Sequence, residues 1–174
     1  MTLEPAQLAE QGKSAFENKK FVEAAELFRQ AADGYLLARS VLMAAEMKNN
    51  MSVAFLQAGK PKEALDAALG TDQIFESEKD IKRQAMALGN QAAALEGLSQ
   101  FNEAIIVYDR SAELFALAGE GDLRSMVMKS SAAIKLKTGK VTDSAFKMMG
   151  SLDVKDNPTF FERILRFFVR IFVK

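Results

Sequence analysis

The sequence predicts an all-α fold: a right-handed α-solenoid of about four antiparallel helix pairs, followed by a C-terminal amphipathic helix. Three observations support this prediction. Apolar residues recur at helical spacing along most of the chain, a pattern of contact residues repeats every 40 residues, and no segment has the alternating β-branched pattern of a strand. Internal repetition at a period of 20 to 50 residues is typical of solenoids.

The clearest copy of the repeat covers residues 84–117, which read as two amphipathic helices joined at Ser99-Gln100. In the second of these helices the contact positions are Phe101, Ala104, Tyr108 and Ser111. The equivalent residues of the other copies, at multiples of 40 residues, are Phe21, Ala24, Phe28 and Ala31, then Pro61, Ala64, Ala68 and Thr71, then Val141, Ser144, Met148 and Ser151.

The first two helix pairs follow from turn residues and apolar stripes. The first pair is predicted at 4–18 and 21–33, with Pro5 tolerated in the first helical turn and a polar turn between the two helices. The second pair is predicted at 35–58 and 61–77, because Gly59 stops one helix and Pro61 suits the first turn of the next. Since Ala68 replaces the aromatic of the first and third copies, we expect looser packing there, or a bulky residue from a neighbour filling the gap.

The third and fourth pairs follow in the same way. The third is predicted at 79–98 and 101–118, and the break Gly119-Glu120-Gly121 ends it. The fourth is predicted at 123–137 and 141–149. The predicted organisation is therefore a repeat domain over 1–150 (repeats about 4–34, 35–77, 78–118 and 121–149), an Asp-, Asn- and Pro-containing linker over 151–158, and a C-terminal helix over 159–174.

Composition excludes several function classes. The chain has 23 basic and 23 acidic residues, so no global field attracts nucleic acid, and we expect no nucleic-acid partner. It has no cysteine and no histidine, so there is no disulfide framework and the usual metal ligands and acid–base residue are missing. The string Ser144-x-x-Lys147 lacks its companion motifs. We expect no enzyme activity and no cofactor.

The termini and the hydropathy indicate where the protein works. The N-terminus lacks the basic and apolar regions of a secretory signal, and no apolar run reaches the ~18–20 residues of a membrane-spanning helix. The expected location is the cytoplasm, with a peripheral position at the membrane as the alternative.

The small and aromatic residues of the copies form a recognisable set. In the first copy Gly12, Phe21, Ala24, Phe28 and Ala31 hold these places, and in the third Ala92, Phe101, Ala104, Tyr108 and Ser111 hold them. With these residues, 4–150 resembles the tetratricopeptide repeat family, whose longer repeats in the kinesin-light-chain and SNAP-like branches are similar to the 40-residue period here. The resemblance implies a protein–protein interaction scaffold or adaptor that binds a peptide or helix in a groove lined by the first helix of each pair.

The resemblance also implies candidate groove residues. Asn50 and Asn90 share one position of the repeat, with Glu10 and Ser130 in the other copies. An asparagine there can hold a ligand's backbone, because one amide both donates and accepts hydrogen bonds. The predicted groove comprises Lys13, Asn49, Asn50, Val53, Gln57, Met86, Asn90, Met126 and Lys129. The alternative is that the asparagines are merely solvated and the methionines fill gaps in the core.

The C-terminal segment is the second candidate site. Its basic residues are spaced by +3, +4 and +4, so they form one stripe on a helix that is otherwise rich in phenylalanine. The fifteen residues from Phe160 span about 22 Å, too short to cross a bilayer. The segment caps the solenoid, lies on an anionic membrane surface, or contacts a partner or a second copy of the chain. The residues concerned are Phe160, Phe161, Arg163, Arg166, Phe167, Phe168, Arg170, Phe172 and Lys174.

Overall fold

A computed structural model describes residues 4–139 of the chain, and this part is entirely helical, without a strand. The all-α prediction is confirmed for these residues. The chain divides into two compact units, residues 1–131 and 132–174, and the contacts described below lie in the first unit. The helices are α1 (Pro5–Glu17), α2 (Phe21–Leu37), α3 (Val41–Gln57), α4 (Pro61–Ala68), α5 (Thr71–Ser77), α6 (Ile81–Gly97), α7 (Phe101–Leu117) and α8 (Gly121–Lys137).

Helix starts follow a step of 20 residues, from Phe21 through Pro61 to Gly121. Local sequence explains several of these starts. Pro5 and Pro61 occupy the first turn of α1 and α4, where the missing N–H would have no helical partner. The Asp80 carboxylate accepts a hydrogen bond from the Arg83 backbone N–H at 2.9 Å and so caps α6.

The turns between these helices share one hydrogen-bonding pattern. After α1, the Lys20 N–H donates to the Ala15 carbonyl and the Lys19 N–H donates to the Phe16 carbonyl, both at 2.9 Å. This pair of bonds is the Schellman motif, which places the residue after the C-cap in the left-handed region. The same pair of bonds recurs after α2, α3, α5, α6 and α7. The left-handed position carries Lys19, Arg39, Gly59, Lys79, Ser99 and Gly119.

The second helix is longer than the predicted 21–33, and the third starts later than the predicted residue 35. Helix α2 continues to Leu37, and the turn lies at residues 38–40. The prediction placed the break at Gly34, but this glycine is inside the helix. A Cβ built on Gly34 would lie 2.6 Å from the Pro5 ring, so the glycine provides a close approach to α1 and does not end α2.

The predicted continuous helix over 61–77 is also wrong, because Leu69 and Gly70 divide it into α4 and α5. Leu69 has φ −57° and ψ 130°, and Gly70 has φ 80° and ψ −8°, which are the dihedrals of a type II turn. The expected looser packing is not found, since Ala64, Ala68 and Thr71 are buried. Ala68 is thus buried like Phe28 and Tyr108, which hold the same position in the first and third copies.

The core between the helices consists largely of alanine. Around α1, α2 and α3 the buried cluster is Ala9, Ala15, Ala24, Ala25, Phe28, Ala31, Ala32, Met47 and Ala54. Such small side chains let helix backbones approach closely, and the few large ones fill the remaining holes. Each helix packs mainly on its neighbours in sequence, and α3 also contacts α6. This local packing brings α1 and α3 to the two sides of the Phe28 ring.

Three predicted segments fall outside residues 4–139. The second helix of the fourth pair (141–149), the linker (151–158) and the C-terminal helix (159–174) lie in the part of the chain that the structure does not describe, as do their candidate residues. None of the described helices is long and apolar enough to cross a membrane.

Candidate functional site

Side chains of α1, α2 and α3 form a pocket of about 260 Å³. Three of the predicted groove residues, Lys13, Asn50 and Val53, line it together. Sequence analysis did not assign the other lining residues, Phe16, Glu17 and Phe28, to the site. The pocket therefore has apolar walls and a rim with an amide, an ammonium and a carboxylate.

Close packing of α1 on α2 forms the apolar part of this pocket. A Cβ on Gly12 would lie 2.8 Å from the Phe28 ring, so the missing side chain allows that ring to pass directly beneath α1. The Phe16 ring meets Phe21 edge-on, with 5.3 Å between the ring centroids. Phe28 is 3% exposed, and the partly buried Phe16 ring contacts a second ring, so both belong to the packed interior of this helix pair.

The charged groups at the rim differ in their partners. The Lys13 Nζ lies 2.6 Å from the Glu10 Oε1, one turn earlier on α1. This hydrogen bond and the charge of Glu10 raise the pKa of Lys13, so the amine is fully protonated. The Glu17 carboxylate is exposed and has no ion-pair partner among residues 4–139. The rim thus offers one carboxylate that no basic group of the described chain neutralises.

The two asparagines of the repeat have the same environment. Asn50 on α3 and Asn90 on α6 are both half-buried, and within residues 4–139 neither side-chain amide has a hydrogen-bond partner. A half-buried amide without a protein partner is available to a ligand, because it offers both a donor and an acceptor. Of the two, Asn50 lines the pocket.

Asn49 has a different environment, although it adjoins Asn50 in sequence. It is buried, and the Thr71 hydroxyl lies 3.1 Å from its Oδ1. The Thr71 hydroxyl also donates to the Ala68 carbonyl at 2.7 Å, next to the break between α4 and α5. Asn49 therefore belongs to the polar core and is not accessible to a ligand.

The remaining predicted groove residues do not line this pocket. Gln57 on α3 and Lys129 on α8 are exposed, and the exposed fractions of Met86 and Met126 are 42% and 59%. By helical spacing Gln57, Met86 and Met126 share the faces that carry Asn50, Asn90 and Ser130 and extend the surface beyond the pocket. Lys129 directly precedes Ser130 and therefore lies about 100° away around α8.

A charged cluster joins α3 to α6 near this face. The Arg83 Nη1 donates to the Glu46 Oε2 at 3.1 Å, and its Nε donates to the Asp80 Oδ2 at 2.6 Å. The guanidinium lies 5.5 Å from the centroid of the Phe75 ring. The bond from the Arg83 backbone N–H, and then the one from its guanidinium, hold the pKa of Asp80 below its usual value. Through Glu46 the same guanidinium links the two helices that carry the asparagines.

The fourth copy has a closed polar cluster at the asparagine position. The Tyr108 hydroxyl donates to the Glu96 Oε2 at 3.0 Å, and Ser130 is a second hydrogen-bond partner of Tyr108. Burial and the neighbouring carboxylate raise the pKa of Tyr108 far above its usual value. Because Ser130 bonds within the protein, only the second and third copies have, within residues 4–139, an amide without a protein partner at this position.

A second pocket of about 320 Å³ lies on another side of the first helix pair. Its lining residues are mainly polar and include Ser14, Asn18, Lys20 and Glu23. Lys20 and Glu23 pair with each other at 3.2 Å, and the Asn18 amide donates to the Ser14 carbonyl at 2.8 Å. Since these polar groups bond each other, this pocket is a weaker candidate than the one at Asn50.

The residues that sequence analysis missed had a detectable signal. Phe28 was assigned to a contact position of the repeat, and Gly12 to its small position. Sequence spacing alone does not show that the Phe28 ring, which belongs to the core, also lines a pocket beside Asn50. In residues 4–139 no group of three or more acidic side chains is placed to hold a metal ion. The groups that this pocket offers to a ligand are its apolar walls and the Asn50 amide.

Comparison with known proteins adds no assignment. No protein-family model matches the chain, and no curated protein is significantly similar to it.

Proposed function

We propose that this chain is a non-enzymatic scaffold, a tetratricopeptide-like solenoid that binds an extended peptide or a helix along α1, α3 and α6. The observation that supports this proposal best is the pair Asn50 and Asn90. Two half-buried amides recur 40 residues apart without a partner within residues 4–139, and one of them lines an apolar pocket. Leaving polar groups without partners is costly unless water or a ligand satisfies them.

The pocket supplies the second part of the proposed mechanism. Phe16, Phe28 and Val53 are apolar and line it together. An apolar side chain of the ligand would enter this space, while the Asn50 amide bonds the ligand's backbone on both sides of that residue. Asn90 would repeat the backbone contact further along the bound segment.

The proposal is tested by selecting peptides from a random display library against the full chain and measuring their Kd. For peptides that bind at this face, Asn50→Ala should weaken binding by about five- to tenfold, the equivalent of about 1 kcal/mol for a hydrogen bond. Asn90→Ala should weaken binding of the longer peptides. Neither variant should change the melting temperature, because neither amide bonds the protein in residues 4–139.

Two controls make the result specific. Gln73→Ala removes an exposed amide from α5 and should leave binding unchanged. Asn49→Ala should lower the melting temperature, since it removes a buried partner of Thr71. Peptides that bind the Asn50→Ala and Asn90→Ala variants as tightly as the wild type would contradict the proposal.

The alternative function is a peripheral membrane tether that acts through residues 159–174. It is supported by the basic stripe and the phenylalanines of that segment in the sequence. In this alternative the repeats serve as a spacer, and Asn50 has no part in binding.

A further inference from the structure

The charged residues that line the pocket beside Asn50 are Lys13 and Glu17, and they differ in whether the protein already pairs them. Lys13 is the one basic residue in its lining, and Glu10 already pairs with it at 2.6 Å. Glu46, which also acts on Lys13 electrostatically, pairs with Arg83 at 3.1 Å. Glu17 is left without a basic partner within residues 4–139.

The lysines that follow α1 do not change this balance inside the pocket. Lys19 is exposed in the turn, and Lys20 pairs with Glu23 at 3.2 Å and lines the second pocket. The charge that a ligand meets at the rim is therefore the Glu17 carboxylate, about one turn along α1 from Lys13. Complementary charge at an interface selects partners and suppresses those of like charge.

The size of the pocket restricts the occupant. A volume of about 260 Å³ is below the roughly 300–1,000 Å³ of sites for drug-sized ligands, but it accommodates one large side chain. The walls, Phe16, Phe28 and Val53, suit an aliphatic or aromatic group. The pocket is thus built for a single bulky side chain of a polypeptide.

We propose that the pocket receives an aromatic or large aliphatic side chain of a peptide in which the adjacent residue is lysine or arginine. The apolar side chain lies between Phe16 and Val53, the Asn50 amide bonds the backbone, and the cation faces Glu17. This inference rests on the proposed function and adds the chemistry of the ligand.

The test compares three fluorescein-labelled peptides on the full chain by fluorescence anisotropy. Each has one central phenylalanine, which is flanked by arginine in the first peptide, by glutamine in the second and by glutamate in the third. We expect the arginine peptide to bind at least about tenfold more tightly than the glutamate peptide, and the difference to decrease as salt is added. Replacing the central phenylalanine by alanine should abolish binding of the arginine peptide.

Variants of the protein assign the effect to the pocket. Glu17→Gln should weaken binding of the arginine peptide about three- to tenfold and leave the Kd of the glutamine peptide unchanged. Val53→Arg should abolish binding of all three, because the long cation occupies the pocket. Glu113→Gln removes an exposed carboxylate of α7 and should change nothing. Circular dichroism melting curves verify that each variant is folded.

The outcomes separate this inference from the function it rests on. If the glutamine or glutamate peptide binds as tightly as the arginine peptide and Val53→Arg abolishes that binding, the pocket binds peptides but the cationic preference is wrong. If library selection yields peptides that depend on Asn50 and Asn90 but not on Val53 or Glu17, the proposed function survives and this pocket assignment fails. If none of the three peptides binds and selection also yields none, both proposals are wrong.

Discussion

At the residue scale, four non-glycine residues occupy the left-handed position of the inter-helix turns. Lys19, Arg39, Lys79 and Ser99 have φ values between 57° and 61°. The left-handed conformation costs a residue with a Cβ roughly 1–2 kcal/mol. The Schellman hydrogen bonds hold these residues there, so each position stores strain that a glycine would relieve.

Ser99→Gly should therefore raise the free energy of unfolding by about 1 kcal/mol, measured by urea denaturation. The matched opposite change is Gly59→Ala, at φ 69° with no atom within 4 Å of the added Cβ. It should lower the stability by a similar amount through backbone strain alone. If Ser99→Gly and the wild type are equally stable, the larger backbone entropy that glycine loses on folding offsets the relief of strain.

Gly12 tests the close approach that forms the pocket. Gly12→Ala places a Cβ 2.8 Å from the buried Phe28 ring, so it should lower the free energy of unfolding by about 1–3 kcal/mol despite the better helix propensity of alanine. Gly89→Ala is the control, because its nearest contact, the Ser111 Oγ, lies at 3.5 Å. That variant should be neutral or stabilised by up to about 1 kcal/mol. A stable Gly12→Ala protein would mean that the ring shifts at little cost.

Glu26 should make stability dependent on pH in the acid range. Bonds from the Arg29 guanidinium, at 2.6 and 2.9 Å, and from the Gln30 amide lower the pKa of Glu26 from 4.5 to about 2. Because the folded-state pKa is lowered, the stabilisation is present above pH 4.5 and is lost as the pH falls towards 2.

The pH prediction is checked with Glu26→Gln. Its difference in stability from the wild type at pH 7 should be small, a few tenths of a kcal/mol, since the pair is half exposed. The difference should vanish below about pH 2, and an NMR titration of the Glu26 carboxyl should give a midpoint below 4.5. A midpoint at 4.5 would contradict the bidentate contact.

At the element scale, a buried polar network accompanies the break between α4 and α5. The Gln91 amide donates to the Ala68 carbonyl at 3.1 Å and to the Asp72 carboxylate at 2.8 Å. Asp72 and Gln91 are 7% and 8% exposed. The type II turn interrupts the helical hydrogen bonds, and this α6 side chain provides a partner at the point of interruption.

Gln91→Ala should lower the free energy of unfolding by about 2–3 kcal/mol, because it leaves the buried Asp72 carboxylate without this donor. In an Asp72→Ala background the same change should cost much less, since no charge is then left unpaired. The wild type, the two single variants and the double variant form a double-mutant cycle. Chemical denaturation of these four proteins gives the coupling energy between Gln91 and Asp72. Gln11→Ala, an exposed change on α1, should lie within about 0.5 kcal/mol of the wild type. Additive losses for Gln91 and Asp72 would contradict the network.

At the scale of the whole molecule, two functions compete: binding at the α1–α3–α6 face and membrane association through residues 159–174. The second function predicts that the full chain sediments with anionic vesicles and that added salt reduces this binding, since each basic residue near the surface contributes about 1 kcal/mol. A truncation that ends at Asn157 should then not sediment. Neutral vesicles are the control.

The structural alternative for the same segment gives the opposite result in this experiment. If residues 159–174 cap the repeats, neither protein sediments with vesicles, and the truncated chain melts at a lower temperature or aggregates. Sedimentation of both proteins to the same extent would contradict a membrane role for the segment.

The sequence by itself determined the helical class and most turns of the described chain. Gly59, Gly119 and the apolar stripes predicted the ends of helices, because these signals act within a few residues of the position they specify. The 40-residue pattern also identified Asn50 and Asn90 as equivalent, and the structure gives them the same half-buried environment.

Only the tertiary structure decided the features that depend on neighbouring helices. Gly34 lies inside a helix at the point where the Pro5 ring packs on it, and Gln91 from α6 bonds the Ala68 carbonyl beside the break at Gly70. Adjacent asparagines, Asn49 and Asn50, differ because one meets Thr71 and the other has an open edge. Local propensity specifies where helices begin and end, whereas the role of a side chain depends on the element that packs against it.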